Sequence, residues 1–259
     1  MKPVVAVVVP IYKEMPNHNE QISLKQCLNI LSSHPIVFVG PENLNTIAYE
    51  DMCKGKVTFE IVRFNTTYFK NIDAYNRLML SSEFYKKFLH FKFILIHQLD
   101  AYVFKDELLY WCKQGYDFIG APHPPHENNL NEIQFLKGYS KIVGFMNKLL
   151  NTHHKISNVG NGGFSLRKTN TFYRMVKFLK RSTINWGINN EDGFFKYWGN
   201  ILYPIVKLPE DDVALQFSIE TEPTRSLIKL GGRLPFGCHA FEKYEPLTWQ
   251  PYIKEKISH

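Results

Sequence analysis

The 259-residue sequence lacks the long apolar runs of a membrane protein. No stretch approaches the ~18 apolar residues of a membrane span, and the longest early run, Val4–Val9, has the length of a strand. The residues that precede it offer no small-residue cleavage site, so they are expected to start a strand and not a signal peptide. These absences favour a cytoplasmic protein.

Cysteine is scarce, and its spacing excludes two classes of site. The four cysteines, Cys27, Cys53, Cys112 and Cys238, are scattered and form no CxxC pair. Neither a zinc cage nor a disulfide framework is therefore expected. Buried, reduced thiols in a cytoplasm are the simplest interpretation.

Acidic residues are in deficit, because 31 Lys and Arg face 24 Asp and Glu, for a net charge of +7. A positive balance predicts an anionic partner such as a nucleotide, a phosphorylated lipid or a membrane surface. The sequence carries no signature of a nucleic-acid-binding module, so no nucleic acid is expected. Its 44% hydrophobic and 21% charged residues are ordinary for a globular protein and exclude a disordered chain.

Strand and helix patterns alternate in the first half of the chain. Short apolar runs predict strands at 4–11, 35–40, 57–64, 91–99 and 116–120. Helical periodicity predicts helices at 18–33, near 44–52 and at 71–89. This alternation predicts an α/β fold with a doubly wound, mostly parallel sheet flanked by helices. Ligands of such sheets lie beyond the carboxyl ends of the strands, here residues 10–14, 40–41, 64–65 and 98–102.

The second half is less regular. It predicts helices at 128–150, 169–180 and 211–219, a loop followed by a helix at 186–198, and an irregular tail at 233–244. A glycine-rich loop, 158–163, leads into a strand at 164–166. No internal repeat or long linker marks a boundary, so one domain over residues 1–259 is expected.

Four short motifs carry groups that can do chemistry. The first, His97-Gln98-Leu99-Asp100, puts a carboxylate at the end of the strongest predicted strand. An oxygen ligand at that place suits Mg²⁺ or Mn²⁺ on a diphosphate, although an acid that simply caps a strand end fits equally well. The second, Asn161-Gly162-Gly163, would let backbone approach a ligand closely, but it also fits a plain turn.

The third motif ends in an acidic pair, Glu191-Asp192, which could supply a general base and an acceptor-binding carboxylate. A helix N-terminus also favours acids, so the two interpretations are compatible. The fourth motif contains His239 between glycine and aromatic residues, where it is either a metal ligand or a core histidine. His123 and His126 indicate a rigid proline-rich loop more than a metal site.

In this order the motifs resemble GT-A-fold glycosyltransferases, in particular the inverting β-1,4-galactosyltransferase type. His97-Gln98-Leu99-Asp100 is similar to the family's His-Asp-Val-Asp, with Gln98 in place of the first acid. The stretch from Trp186 to Asp192 resembles the family's Trp-Gly-Trp-Gly-Gly-Glu-Asp. The chain also resembles bacterial GT-A-like proteins with Gln-Leu-Asp-Ala-Tyr and Asn-Gly-Gly-Phe-Ser.

The resemblance implies roles for particular residues. Asp192 would be the catalytic base, and Asp100 and His239 would bind Mn²⁺ or Mg²⁺. The implied acceptor-binding residues are Glu191, Trp186, Gly162 and Gly163. Trp186 and Trp198 would offer apolar faces to sugar rings, although a buried position in the core fits each of them equally well. The implied nucleotide-sugar-binding residues are Pro10, Ile11, Tyr12, Glu14, Phe64, Asn65, Gln98, Leu99 and Asp100. A nucleotide-binding half would span about 1–125 and an acceptor-binding half about 126–259.

The implied activity is transfer of a sugar (galactose, glucose or an N-acetylhexosamine) from a UDP-sugar to an acceptor saccharide, with inversion, in bacterial surface polysaccharide synthesis. The acceptor could be lipid-linked, and the basic stretch Arg174–Arg181 could contact an anionic membrane, unless it is a core helix with a solvated face. Two alternatives stay open. One is a catalytically silent sugar-binding module, which Gln98 favours. The other is a sugar-phosphate nucleotidyltransferase, disfavoured because no glycine-rich signature follows the first strand.

Overall fold

A computed structural model gives the fold and describes residues 4–123, 139–152, 158–186, 190–200 and 205–258. The strands are β1 (Val5–Pro10), β2 (Ile36–Pro41), β3 (Phe59–Phe64), β4 (Phe93–His97), β5 (Tyr102–Val103), β6 (Phe118–Ile119), β7 (Phe164–Lys168), β8 (Ser218–Ile219) and β9 (Gly237–Cys238). The helices are α1 (His18–Ile30), α2 (Ile47–Cys53), α3 (Ile72–Met79), α4 (Ser82–Lys87), α5 (Leu108–Lys113), α6 (Tyr139–Leu150), α7 (Thr169–Phe178), α8 (Lys180–Trp186), α9 (Glu191–Trp198), α10 (Asp211–Phe217), α11 (Pro223–Lys229) and α12 (Pro246–Trp249). Short 3-10 helices cover Thr66–Phe69 and Gln250–Tyr252.

Six strands form the main sheet in the order β3-β2-β1-β4-β7-β6. The four strands β3, β2, β1 and β4 run parallel, whereas β7 is antiparallel to both of its neighbours. The predicted mostly parallel α/β sheet is therefore confirmed. Because the chain builds outward from β1 to β3 and then returns to add β4 on the other side, the topological switch point lies between β1 and β4.

The sequence of β1 explains its central place. Val5, Val7 and Val9 pack into the core on one face of the sheet, and Ala6 and Val8 pack into the core on the other. All five are at most 2% exposed. Each fully buried valine stabilises the fold by about 1.5–3 kcal/mol, so an unbroken apolar run is stable only between two helical layers.

The predicted helix over 71–89 is wrong, since the structure divides it into α3 and α4. Ser81 interrupts it because its hydroxyl accepts a hydrogen bond from Phe84 N at 3.1 Å and caps a new helix. The part of the predicted helix 128–150 that lies before Tyr139 falls outside the described residues. His126 does so too.

A second, small sheet in the order β5-β9-β8 corrects two further expectations. The predicted helix over 211–219 ends at Phe217, and the predicted irregular tail contains β9. Both changes have one cause, because Ser218 and Ile219 find backbone partners in Gly237 and Cys238. Within the described ranges, no helix has the length and apolarity to cross a membrane.

Candidate functional site

The carboxyl ends of β1 and β4 open onto one rim of the main sheet. The antiparallel β7 brings its N-terminal end to the same rim, where Gln98 N donates a hydrogen bond to Gly163 O at 2.8 Å. The glycine-rich loop therefore lies beside the strand-end motif that contains Asp100. About 60 residues of sequence separate this loop from the strand-end motif. They lie side by side because β7 runs in the opposite direction to β4.

The small sheet adds two side chains to this rim. His239 follows β9, Glu220 follows β8, and His239 N donates to Ile219 O at 2.9 Å. His239 Nε2 lies 3.1 Å from Asp100 Oδ1, and His239 Nδ1 lies 3.0 Å from Glu220 Oε1. The two predicted metal ligands are thus neighbours, with a second carboxylate behind the imidazole.

Burial lowers the pKa of His239, but the carboxylates of Asp100 and Glu220 outweigh this effect and raise the pKa to about 10. Burial likewise raises the pKa of Asp100, and His239 more than offsets it, so that the pKa falls below its ordinary value. The side chains therefore hold opposite charges at neutral pH. Their attraction explains how charged groups remain stable in a largely buried place.

Asp192 completes this group of side chains. Its Oδ2 accepts a hydrogen bond from Asn161 N at 2.9 Å and lies 3.9 Å from His123 Nε2. His123 Nδ1 in turn lies 3.8 Å from Glu220 Oε2. Burial raises the pKa of Asp192, but His123, Lys196 and the Asn161 amide together lower it below the ordinary value. We refer to Asp100, His123, Asp192, Glu220 and His239 as the histidine cluster.

Asn161 shapes the loop beneath the histidine cluster. It has a φ of +67°, a left-handed conformation that asparagine tolerates better than most residues. Its Oδ1 accepts hydrogen bonds from Gly163 N at 2.8 Å and Phe164 N at 3.2 Å, and its Nδ2 lies 2.8 Å from His239 Nδ1. One asparagine therefore ties the loop, His239 and Asp192 together.

The two glycines of this loop pack against the protein itself. A Cβ at Gly163 would lie 2.0 Å from His239 Nε2, and one at Gly162 would lie 2.0 Å from Glu191 Oε1. The close approach expected between this backbone and a ligand is instead an approach to these two side chains. The acceptor-binding role of Gly162 and Gly163 stays a prediction, and their packing explains the glycines without it.

Glu191 belongs to a different set of contacts from its neighbour Asp192. Its Oε1 lies 2.7 Å from Arg167 Nη2, and the Arg167 side chain is fully buried. Arg167 also donates to Tyr85 OH at 3.0 Å, Ser165 Oγ at 3.0 Å and Gly162 O at 3.2 Å. These residues form the arginine cluster. Its geometry favours an architectural role for Glu191 over the predicted acceptor contact.

Trp186 is buried, so the predicted sugar-stacking face is not available in this structure. Its ring is 7% exposed and packs at 5.5 Å from Phe194 and 5.9 Å from Tyr197. Its indole nitrogen donates to Asn190 O at 3.0 Å, which fixes the start of α9. Trp198 is only partly buried and packs against Tyr197.

The predicted nucleotide-sugar residues divide into exposed and buried groups. Tyr12 and Asn65 are exposed near the rim, and Asn65 Oδ1 caps a 3-10 helix by accepting from Thr67 N. Glu14 is also largely accessible, and Gln98 and Asp100 are partly so. Four members are buried, and their role in binding a nucleotide-sugar stays a prediction: Pro10, Ile11, Phe64 and Leu99. Their apolar side chains support the rim from below.

Sequence reasoning missed three residues of the site: His123, Asn161 and Glu220. Glu220 gave no signal, because its position depends on the unpredicted strands β8 and β9. His123 is placed by backbone pairing, since its N donates to Asn158 O at 2.9 Å beside the bridge between Pro122 and Val159. Only Asn161 carried a signal, as an asparagine before two glycines in a turn.

Asp100 and His239 at the rim could together provide two ligands for a divalent cation. In the described ranges, no group of three or more His, Cys, Asp and Glu side chains is arranged to hold a metal ion. However, Mg²⁺ is commonly held by one or two protein ligands together with substrate phosphates. His239 Nε2 faces Asp100 Oδ1 at 3.1 Å, and the two form an ion pair while the imidazole is protonated. If the imidazole loses its proton, this nitrogen and the carboxylate become a donor pair of the kind that Mn²⁺ or Mg²⁺ binds.

The family of this protein follows from its sequence. A protein family of unknown function, DUF5672, matches residues 58–239. The chain belongs to this family. All five members of the histidine cluster and the whole arginine cluster fall within the matched region. No curated protein sequence matches the chain.

Two solved structures show what the DUF5672 chain resembles in fold. Mouse xyloside xylosyltransferase 1, in its apo form, gives a TM-score of 0.51 at 12% identity over 92% of this chain and 98% of that chain. The apo WbbM bifunctional glycosyltransferase gives a TM-score of 0.50 at 11% identity, over 99% of this chain and 50% of that chain. The chain thus spans half the length of WbbM. Both likenesses establish a glycosyltransferase-type α/β fold.

Proposed function

We propose that the protein is a glycosyltransferase that moves a hexose or N-acetylhexosamine from a UDP-sugar to a hydroxyl group of an acceptor saccharide. The observation that carries this proposal is the histidine cluster. At the switch point of the sheet, Asp100 and His239 lie 3.1 Å apart, and the buried carboxylate of Asp192 lies across the same glycine-rich loop. This is the edge at which doubly wound sheets bind their ligands.

The charge of the cluster supports a role for a divalent cation. Three carboxylates face two imidazoles, so the cluster by itself does not attract a diphosphate. Asp100 and His239 would hold Mn²⁺ or Mg²⁺, which supplies positive charge to a diphosphate leaving group when it is bound. Glu220 would keep the His239 ring in place through Nδ1, as carboxylates behind metal-binding histidines do.

Asp192 is the group best suited to accept a proton. Asp100 and Glu220 both face His239, whereas the hydrogen bond that Asp192 accepts from Asn161 N engages only its Oδ2. The lowered pKa of Asp192 means that it is deprotonated at neutral pH. Oδ1 would take the proton of the acceptor hydroxyl as that oxygen attacks the anomeric carbon. A single displacement of this kind inverts the anomeric configuration. Glu191 would hold α9, and with it Asp192, through Arg167.

We propose a lipid-linked or free saccharide acceptor, a cytoplasmic location and a part in bacterial surface polysaccharide synthesis. The net charge of +7 and the basic stretch Arg174–Arg181 support contact with an anionic membrane.

Calorimetry of UDP binding with Mn²⁺ present tests the site. We expect Asp100→Asn and His239→Gln each to weaken binding at least about tenfold. The chain offers a matched control. His34 Nε2 and Asp106 Oδ2 form another histidine–carboxylate pair at 3.0 Å. His34 lies just before β2, at the end of the strand opposite the rim. Asp106→Asn should leave UDP binding unchanged, whereas unchanged binding in both site variants would contradict the shared site.

The silent binding module remains the second candidate, because Gln98 replaces the first acid of the resembled motif. Such a module would bind a UDP-sugar with Mn²⁺ but release no UDP on long incubation. Slow hydrolysis by the wild type that disappears in Asp192→Asn would exclude it. When an acceptor is found, the anomeric configuration of the product by NMR decides between inversion and retention.

A further inference from the structure

A basic groove lies between α3, α4, α7 and α8, on one helical layer of the sheet. It has a volume of about 870 Å³. Arg77 of α3, Lys177 of α7 and Lys180 of α8 line it, and Glu83 is the one acid among its lining residues. No member of the histidine cluster lines the groove, so it is separate from the candidate active site.

The segment of the sequence that contains α7 and α8 has basic residues but no acidic ones. Residues 133–190 contain ten Lys and Arg and no Asp or Glu. The other 201 residues carry 21 Lys and Arg against 24 Asp and Glu, so the positive balance of the protein comes from this segment. Both α7 and α8 lie in it, so no acid of their own segment offsets the positive field of their cations.

The three cations of the groove are available to a ligand. Among the described residues, no ion pair involves Arg77, Lys177 or Lys180. Lys177 Nζ lies 5.5 Å above the Tyr173 ring, which orients the ammonium without neutralising it. The hydroxyl-bearing residues Ser82 and Thr183 line the same groove. Ammonium, guanidinium and hydroxyl groups together suit phosphate oxygens.

Two large apolar side chains are exposed on α7 and α8, the helices that carry Lys177 and Lys180. Ile184, which lines it, is 69% exposed, and Phe178, which follows Lys177 directly, is 82% exposed. Exposed apolar residues among cations are typical of helices that lie in the interface of a membrane. A soluble anion would explain the cations but not these two side chains.

We propose that the groove binds the phosphate head group of an anionic phospholipid while Phe178 and Ile184 enter the membrane interface. This inference deepens the proposed function, on which its membrane contact rests, by naming the partner and the residues. The groove is linked to the candidate active site through α8. Helix α8 ends at Trp186, which bonds to Asn190 just before Glu191 and Asp192. A docked membrane would therefore lie one short helix away from the proposed base.

Vesicle co-sedimentation with the full chain tests the proposal. The probes are vesicles of phosphatidylcholine alone and of phosphatidylcholine mixed with phosphatidylglycerol. We expect binding only to the mixed vesicles, weakened about fivefold by each of Arg77→Gln, Lys177→Gln and Lys180→Gln, and on the order of 100-fold by all three together. Phe178→Ser should weaken binding without changing the charge.

A control removes the same charge elsewhere, with Lys54→Gln, Lys56→Gln and Lys113→Gln combined. Equal losses in both triple variants would overturn the groove as a site, since binding would then follow net charge alone. Vesicle binding that persists in the groove variant, or that is absent in the wild type, would overturn it too. Inorganic phosphate that binds as tightly as the vesicles would assign the groove to a soluble ligand instead.

UDP binding with Mn²⁺ separates this inference from the proposed function. We expect the groove variant to bind UDP as the wild type does, because the groove shares no residue with the histidine cluster. Loss of UDP binding in that variant would place the groove in the donor site and overturn the lipid assignment. Loss of vesicle binding with intact UDP binding supports it, and failure of UDP binding in the wild type counts against the proposed function alone.

Discussion

Glu191 and Asp192 are adjacent in the sequence but belong to clusters of opposite character. In the arginine cluster, Arg167 meets a carboxylate, two hydroxyl groups and a carbonyl, and its guanidinium lies 5.8 Å from the Phe118 ring centre and 5.7 Å from that of Phe172. In the histidine cluster, His239 faces Asp100 at 3.1 Å and Glu220 at 3.0 Å, and Glu220 Oε2 has no hydrogen-bond partner among the described residues. One cluster is saturated, and the other is incomplete.

The difference indicates which cluster acts on a ligand. Buried polar atoms in folded proteins are nearly always hydrogen-bonded, so orphaned atoms need a specific explanation. A fully hydrogen-bonded ion pair between elements fixes their positions, whereas a histidine held by carboxylates can give up its proton and bind a cation. We therefore expect Arg167 and Glu191 to act in structure and the histidine cluster to act on the ligand.

The largest expected effect is on catalysis. Asp192→Asn is nearly isosteric and keeps an oxygen that can accept from Asn161 N, so we expect the fold and UDP affinity to change little. Loss of general-base assistance should lower sugar transfer by ~10²–10⁴-fold. Glu191→Gln, assayed well below its melting temperature, should retain far more activity. Steady-state kinetics that show the reverse order would exchange the roles of the two acids.

The next effect is on stability. Arg167→Met leaves the Glu191 carboxylate buried without its partner, which should lower the free energy of unfolding by about 3–5 kcal/mol. Its control is Lys25→Met, because Lys25 pairs with Glu255 at 3.2 Å and the two side chains are 48% and 44% exposed, where such pairs contribute at most ~1 kcal/mol. Urea denaturation measures both. Equal losses would mean that the buried arginine cluster is no more structural than a surface pair.

His97, the last residue of β4, should make the free energy of unfolding depend on pH by about 3 kcal/mol. It is fully buried, and burial lowers its pKa to about 4 from an ordinary 6.5. The unfolded chain takes up a proton below pH 6.5 and the folded chain does not, so this stability is present above pH 6.5 and is lost as the pH falls towards 4. In His97→Leu, unfolding measured across this range should lose correspondingly less stability than in the wild type. Parallel curves would show that the protonation of His97 does not differ between the folded and the unfolded chain.

The smallest effect concerns the carboxylate behind His239. Glu220→Gln should lower Mn²⁺ affinity 10- to 100-fold in the presence of UDP, since it weakens the orientation of the imidazole. The melting temperature should move little. Glu222→Gln is the control, because Glu222 pairs with Arg225 at the surface. If metal titrations find the two variants alike, Glu220 does not position His239.

Much of the fold was predictable, because it depends on local patterns. The unbroken apolar runs of β1 and β4 require burial on both faces, and the acid after β4 marks the carboxyl rim of a parallel sheet. From this rim the sequence indicated Asp100, and from short motifs it indicated Asp192 and His239. The roles of these residues remain predictions, although the structure places them together.

What the sequence alone determined is the set of parts: a buried parallel sheet, a rim with an acid, and motifs with polar groups in a recognisable order. Only the tertiary structure decided which parts meet. The reversed β7 brought the glycine loop to Gln98, and the two-residue strands β8 and β9 brought Glu220 to His239. Such short strands leave no periodicity in a sequence, because their stability comes from backbone partners far along the chain. The same reason explains why adjacent Glu191 and Asp192 serve different clusters, since a helix start turns successive side chains in different directions.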